Sequence, residues 1–414
     1  MTEKWLFVRS ARQLITLRGS TGPRRGPALR ELGLVADGAL LIRDDLIVDV
    51  GPTRRIENLA AARRAINIDA SGRVVMPALI DSEVQLLSPT GPAQEAAEDA
   101  VPLPSEHFYE NWSAVARNIS SKSSQRISAQ ARVLLERMAR HGTGQVEVLS
   151  GIAMDASGSL KALRIHASVD RQPITVRSTF VATPGKSRQH MLEQVSKDIL
   201  PAVSRKKLAR FVAVIAGPGD VNNPHLRRIL DASRATGLGI KVLCDALDPR
   251  DGVRLGLEAR ATSVSRLNRL GPAQIRQVAL ASTMALLTCP QPDMSTSERP
   301  EVARALVEEG AAIALATGFR PSASGTYSMQ HALYLAVTAM RLHPAEALSA
   351  ATINAAYNQG AGAEAGSLEP GKRADFILLN VSDYRELFAR PGVNAVHLMV
   401  KAGKVVSREA DVSW

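Results

Sequence analysis

Short apolar runs broken by polar turns recur along the whole chain, but their company changes. At the N-terminal end they follow one another without helical spans between them. Residues 5–8 and 13–17 read as strands, and 38–43 and 46–51 flank Asp44-Asp45 as a hairpin. A Gly-, Pro- and Arg-rich loop at 18–30 separates the first two strands from the hairpin, and residues 65–69 and 73–77 continue the pattern. The C-terminal end is similar: 374–379 and 395–400 are strand-like, 401–404 is a turn, and 405–406 resume the strand.

The middle alternates. Helical periodicity runs through 128–139, where Ala131, Leu134, Leu135 and Met138 share a face. Strand-like runs follow at 146–149 and 175–181, then a helical span at 191–203 and a buried-strand run at 211–216. Asn223-Pro224 opens a helix that Gly237 ends. Residues 240–244 and 282–287 are strands, 302–309 is a helix closed by Gly310, and 312–316 is a strand. The Pro- and Gly-containing stretch 89–106 reads as a loop.

Strands alternating with helices between two β-rich ends predict an α/β protein: a parallel β/α array, most simply a barrel, with a smaller β unit. A length of 414 residues accommodates both, since such barrels take roughly 250.

Composition adds bounds. Hydrophobic residues at 45% and charged residues at 22% are those of a folded chain with a buried core. Two cysteines, Cys244 and Cys289, make no disulfide framework, so reduced thiols in a cytoplasm are expected. Neither a secretory leader nor a membrane span is expected. A net charge of +11 would suit nucleic acid or an acidic protein. Basic residues come only in small groups such as Arg24-Arg25 and Arg205-Lys206-Lys207, and aromatic residues are 4%, so nucleic-acid binding is possible but not favoured.

Several strings resemble the imidazolonepropionases of the amidohydrolase superfamily. They include Gly22-Pro23-Arg24-Arg25-Gly26, the 69–77 segment Asp-Ala-Ser-Gly-Arg-Val-Val-Met-Pro, His141-Gly142-Thr143, and Val146-Glu147-Val148 with Ser150-Gly151. They continue with Ala314-Leu315-Ala316-Thr317, Thr326-Tyr327-Ser328-Met329, Ala351-Thr352-Ile353-Asn354, and Gly366-Ser367-Leu368-Glu369-Pro370-Gly371. The resemblance implies a TIM-like (β/α)8 barrel over 77–365. It also implies a small β-sandwich from both chain ends, 1–76 and 366–414. It further implies a metal-bound water that opens a cyclic amide, imidazolone propionate.

At the family's site positions this chain departs. Where the family has His-x-His, this chain has Glu83 and Gln85 in Asp81-Ser82-Glu83-Val84-Gln85. The His-x-Asp-Glu string reads Leu243-Cys244-Asp245-Ala246, putting Leu243 at the ligand and Ala246 at the proton-shuttle position. A further His corresponds to Arg266. The ligand Asp is Gly318, followed by Phe319 and Arg320. Gln, Leu and Gly cannot hold a divalent ion. No metal, cofactor or catalytic residue is therefore expected. The remodelled pocket is expected to contain Glu83, Gln85, Leu243, Cys244, Asp245, Ala246, Arg266, Gly318 and Arg320, with Cys244 facing the former site and Arg266 and Arg320 neutralising Glu83 and Asp245. His141 and His343 read as structural helix-end residues.

The first expectation is an inactive homologue with a binding, scaffolding or regulatory role, as a homodimer or paired with an active relative. The alternatives are metal-independent chemistry in the same pocket, a basic module for nucleic acid or an acidic protein, and a hydrolase of cyclic amide C–N bonds.

Overall fold

In the computed structural model, the apolar runs of the sequence become two separate sheets. The structure describes residues 3–87, 115–150, 156–182, 193–245, 248–267, 269–289, 301–320 and 326–408. The loop expected at 89–106 lies outside them.

The N-terminal strands are β1 (Trp5–Ile15), β2 (Leu34–Arg43), β3 (Leu46–Pro52), β4 (Ile66–Asp69) and β5 (Val74–Pro77). The parallel strands are β6 (Leu79–Val84), β7 (Thr143–Ser150), β8 (Thr175–Val181), β9 (Phe211–Ala216), β10 (Gly239–Cys244), β11 (Ser263–Ser265), β12 (Met284–Thr288) and β13 (Ile313–Ala316). The last three are β14 (Phe376–Leu379), β15 (Val396–Lys401) and β16 (Lys404–Arg408).

Strands β6 to β13 pair in sequence order, each parallel to the next. An isolated parallel bridge between Val84 and Phe319 brings the first strand back to the last. The ring is therefore a TIM-like barrel. The chain ends build one mixed sheet in the order β16-β15-β14-β5-β1-β2-β3, with β4 paired to β1. Central strand β5 runs straight into β6 through Ala78, so the terminal sheet is anchored to the barrel's first strand.

Local chemistry explains the helices. Ser123 caps the helix Ser124–Arg140 by accepting from Arg126 N, and its apolar stripe packs on β7. Asn223 caps Pro224–Ala235, which ends before Gly237 at φ 72°. Arg24 and Arg25, a basic pair in the sequence, are consumed as clamps. Arg24 donates to the carbonyls of Leu17 (2.7 Å), Arg18 (3.1 Å) and Glu31, and Arg25 to those of Ala281 (2.6 Å) and Ala279 (3.0 Å).

Some expectations need correction. Residues 5–8 and 13–15 belong to one strand, β1, which stops short of Thr16 and Leu17 and whose register shifts between Val8 and Ala11 around Ser10 at φ 60°. The bulge absorbs the polar Arg9-Ser10 that looked like a break. The strand expected at 282–287 is Met284–Thr288. The span at 191–203 is described from 193, as a π-helical turn, Val195–Ile199, running into the short helix Leu200–Arg205. Strand β11 gave no apolar run because two of its three residues are serines. Among the described residues, no helix is long and apolar enough to cross a membrane.

Candidate functional site

Side chains in register across a parallel ladder point the same way. Lys241 on β10 is in register with Ala213 on β9 and Ser263 on β11. Its Nζ lies 2.5 Å from Glu147 Oε2 on β7, although β8 and β9 stand between those strands in the sheet. Such a contact runs through the barrel interior, so this row faces inward.

Both partners are buried, and Thr179 Oγ1 donates to the other Glu147 oxygen at 2.6 Å. The ammonium also stands 4.5 Å from the centre of the Phe211 ring. Burial pushes Lys241 down and Glu147 up, each opposed by the other's charge. The charge of Glu83 acts on both, which places it at the same interior cluster.

A second buried network closes the ring. Asp81 on β6 accepts from Thr317 N at 3.0 Å and from Thr317 Oγ1 at 2.5 Å, just past β13. The Asp81 carbonyl accepts from Gln359 Nε2 at 2.9 Å, and Gln359 Oε1 accepts from Gln145 Nε2 at 2.8 Å. Burial pushes the Asp81 carboxyl up to about 7 against these hydrogen bonds. The role is structural: it ties the barrel's first strand to its last.

The sequence-predicted residues divide. Glu83 and Gln85 sit at and just beyond the C-terminal end of β6, both buried; Gln85 N donates to Phe319 O at 2.9 Å. Glu83 Oε2 and Gln85 Oε1 have no hydrogen-bond partner. Leu243 faces inward, in register with Ile215 and with Ser265, whose buried hydroxyl also lacks a partner. Leu243 packs in one apolar cluster with Val181, Ala213, Ile215 and Phe319. Gly318 follows β13 at φ 65°, and Arg320 ends that described segment. Ala246 lies outside the described residues.

Cys244 corrects its expectation. One residue past Leu243, it points out of the barrel and packs on Gly252 of the helix Arg250–Glu258, where a Cβ on that glycine would lie 2.9 Å from Sγ. Burial pushes the thiol up to about 12, so it is no nucleophile at neutral pH. Asp245, just past β10, accepts from Asp248 N through Oδ1 at 3.1 Å. Arg266, at φ 65°, acts on the Cys244 thiol together with Asp245, so these two share that neighbourhood. The charge of Glu83 also acts on Lys241, a cation that the sequence reading had not placed at the site.

Lys241 and Glu147 are the residues that sequence reasoning missed. Each is a charge inside an apolar strand run, Ile240-Lys241-Val242-Leu243 and Val146-Glu147-Val148, and that was the available signal. The two other histidines singled out are structural. His343 caps the helix Pro344–Ala350 by accepting from Ala345 N at 3.2 Å, and His141 Nδ1 lies 3.4 Å from Ser328 Oγ.

The metal that the family resemblance implies does not fit these residues. A catalytic zinc-type ion needs about three His, Cys or carboxylate donors converging on one point. The strand ends supply Glu83 and Gln85 from β6, Leu243 from β10 and Gly318 after β13. Leu243 is committed to apolar packing. Among the described residues, no three His, Cys, Asp or Glu side chains gather as such a group.

Comparison with known proteins places this geometry. The model of the amidohydrolase family matches residues 74–406. An imidazolonepropionase of Geobacillus thermodenitrificans is 32% identical over 420 residues, covering 98% of this chain and 99% of that protein. Imidazolonepropionases of Geobacillus kaustophilus and Chloroflexus aggregans are 33% and 32% identical, over 98% and 97% of this chain and 99% and 98% of their own. Among solved structures, a triazine hydrolase variant superimposes with a TM-score of 0.75 at 17% identity, covering 97% of this chain and 94% of its own. N-isopropylammelide isopropylaminohydrolase of Burkholderia multivorans does so at 0.72 and 17%, covering 98% of each chain. At such identities the structures show the shared fold alone.

Proposed function

The chain belongs to the amidohydrolase family and is homologous to the imidazolonepropionases, and from that premise we propose that it is a non-catalytic member that acts by binding. One observation carries the reading: Leu243, which the resemblance matches to a ligand position, stands inward on β10 in register with Ile215 and in one apolar cluster with Phe319. Glu83, Gln85, Arg266 and Gly318, at the other positions that the resemblance matches to ligands, add a single carboxylate. Without a metal-bound hydroxide and a proton shuttle, the metal-dependent route to hydrolysis of an amide C–N bond has neither its nucleophile nor its acid.

The role is then scaffolding or regulation in a cytoplasm, as a homodimer or beside an active relative. The test is turnover of imidazolone propionate by protein expressed and assayed with zinc or iron supplied, next to a homologous imidazolonepropionase. The expected rate is indistinguishable from the uncatalysed one. Turnover that chelation abolishes would make the chain a hydrolase of cyclic amides, the second reading, which rests on its relatives. Turnover indifferent to chelator would indicate metal-independent chemistry.

A further inference from the structure

Among the buried polar atoms without a partner toward the C-terminal end of the barrel are Glu83 Oε2, Gln85 Oε1 and Ser265 Oγ. Their residues are 7%, 4% and 2% exposed, so bulk water does not satisfy them. A buried polar atom without a partner costs about 1–3 kcal/mol. Three together mark a place completed by something that donates hydrogen bonds. Glu83 also carries a negative charge there. Lys241, on which the Glu83 charge acts, is already held by Glu147 at 2.5 Å and lies over the Phe211 ring.

The surroundings restrict the donor. Ile215, Leu243 and Phe319 form an apolar wall in the same cluster. Leu243 and Ser265 are in register on neighbouring strands, so the apolar wall meets the Ser265 hydroxyl on one row of the barrel. A divalent ion needs more anionic donors than Glu83 supplies. A monovalent organic cation needs only acceptors for its N–H groups and apolar contact for its body.

We propose that the barrel mouth binds a small apolar amine or amidine, its cationic head on Glu83, Gln85 and Ser265 and its hydrocarbon body on Ile215, Leu243 and Phe319. This rests on the reading of the barrel as a metal-free binding site. The N–H groups donate to the Glu83 carboxylate and the Gln85 carbonyl, and the Phe319 ring adds an apolar, cation-tolerant face.

The experiment is calorimetric titration of the full chain, after chelator treatment, with benzamidine and benzylamine, and with benzyl alcohol and benzoate as matched neutral and anionic probes. Saturable binding of an amine probe, absent for the alcohol and benzoate, is expected. Glu83→Gln keeps the shape and removes the charge, and it should weaken binding by at least about tenfold. Ser265→Ala should weaken it less, and circular dichroism melts establish that both variants fold. No saturable amine binding, equal binding of benzyl alcohol, or unchanged affinity in Glu83→Gln overturns the inference. Metal content measured on the same sample separates the two ideas. Metal-free protein that ignores amines overturns this inference alone, whereas firmly metal-loaded protein overturns the reading beneath it.

Discussion

Lys241 Nζ lies 2.5 Å from Glu147 Oε2 across the interior of the barrel, with Thr179 Oγ1 on the remaining carboxylate oxygen. Both residues are almost completely buried, so each charge depends on the other. Replacing Lys241 by Met alone strands the Glu147 carboxylate in the barrel and should cost about 3–5 kcal/mol of stability, as for other broken buried pairs. The double variant Lys241→Met/Glu147→Leu should recover a large part of that loss. Urea-unfolding midpoints of the three proteins check this, and a double variant no more stable than Lys241→Met would contradict it.

His166 makes a second prediction, about pH. It is fully buried, with Nδ1 3.2 Å from Ser178 Oγ and Nε2 without a partner. Burial lowers its pKa from 6.5 to about 3. The folded protein keeps this imidazole neutral while the unfolded chain protonates it below pH 6.5. The contribution is level above 6.5 and lost as pH falls toward 3, by up to about 1.4 kcal/mol per pH unit. Thermal unfolding of His166→Leu should show a shallower acid slope than the parent.

The thiols should be silent in the native state. Cys244 and Cys289 are both buried and neither forms a disulfide, and burial pushes the Cys244 thiol far above neutral pH. A disulfide-exchange reagent should titrate neither thiol in native protein and both after unfolding. Rapid labelling of Cys244 in the folded protein would restore it as a candidate reactive group.

Much of this was legible in the sequence, and the failures have physical reasons. The buried runs of β9 and β10 and the capped helix after Asn223 were readable because period and cap are local signals. The direction of Cys244 was misjudged, although strand alternation with an inward Lys241 settles it. The ion pair itself was hidden because its partners lie 94 residues apart, and the Asp81–Thr317 tie spans 236. Leu243 and Gly318 were readable as substitutions, but only the fold shows Leu243 packed into the wall beside Ile215.

Rebuilding the site should be possible only as a set. Leu243→His alone places a polar ring in an apolar cluster and should cost about 1–3 kcal/mol, with no rescue by zinc. Glu83→His, Gln85→His, Leu243→His and Gly318→Asp together supply enough donors, and zinc should then raise the melting temperature. The Gly318 replacement carries its own cost of about 1 kcal/mol, since Gly318 sits at φ 65° in the left-handed region. Zinc stabilising the single variant as much as the set would contradict this.

The central claim is that this barrel has no divalent-metal site, and elemental analysis of bound transition metal tests it most directly. The protein is expressed with zinc and iron supplied, purified without chelator and dialysed. The account predicts far less than one metal ion per chain. About one firmly held zinc or iron per chain, surviving dialysis, would contradict it.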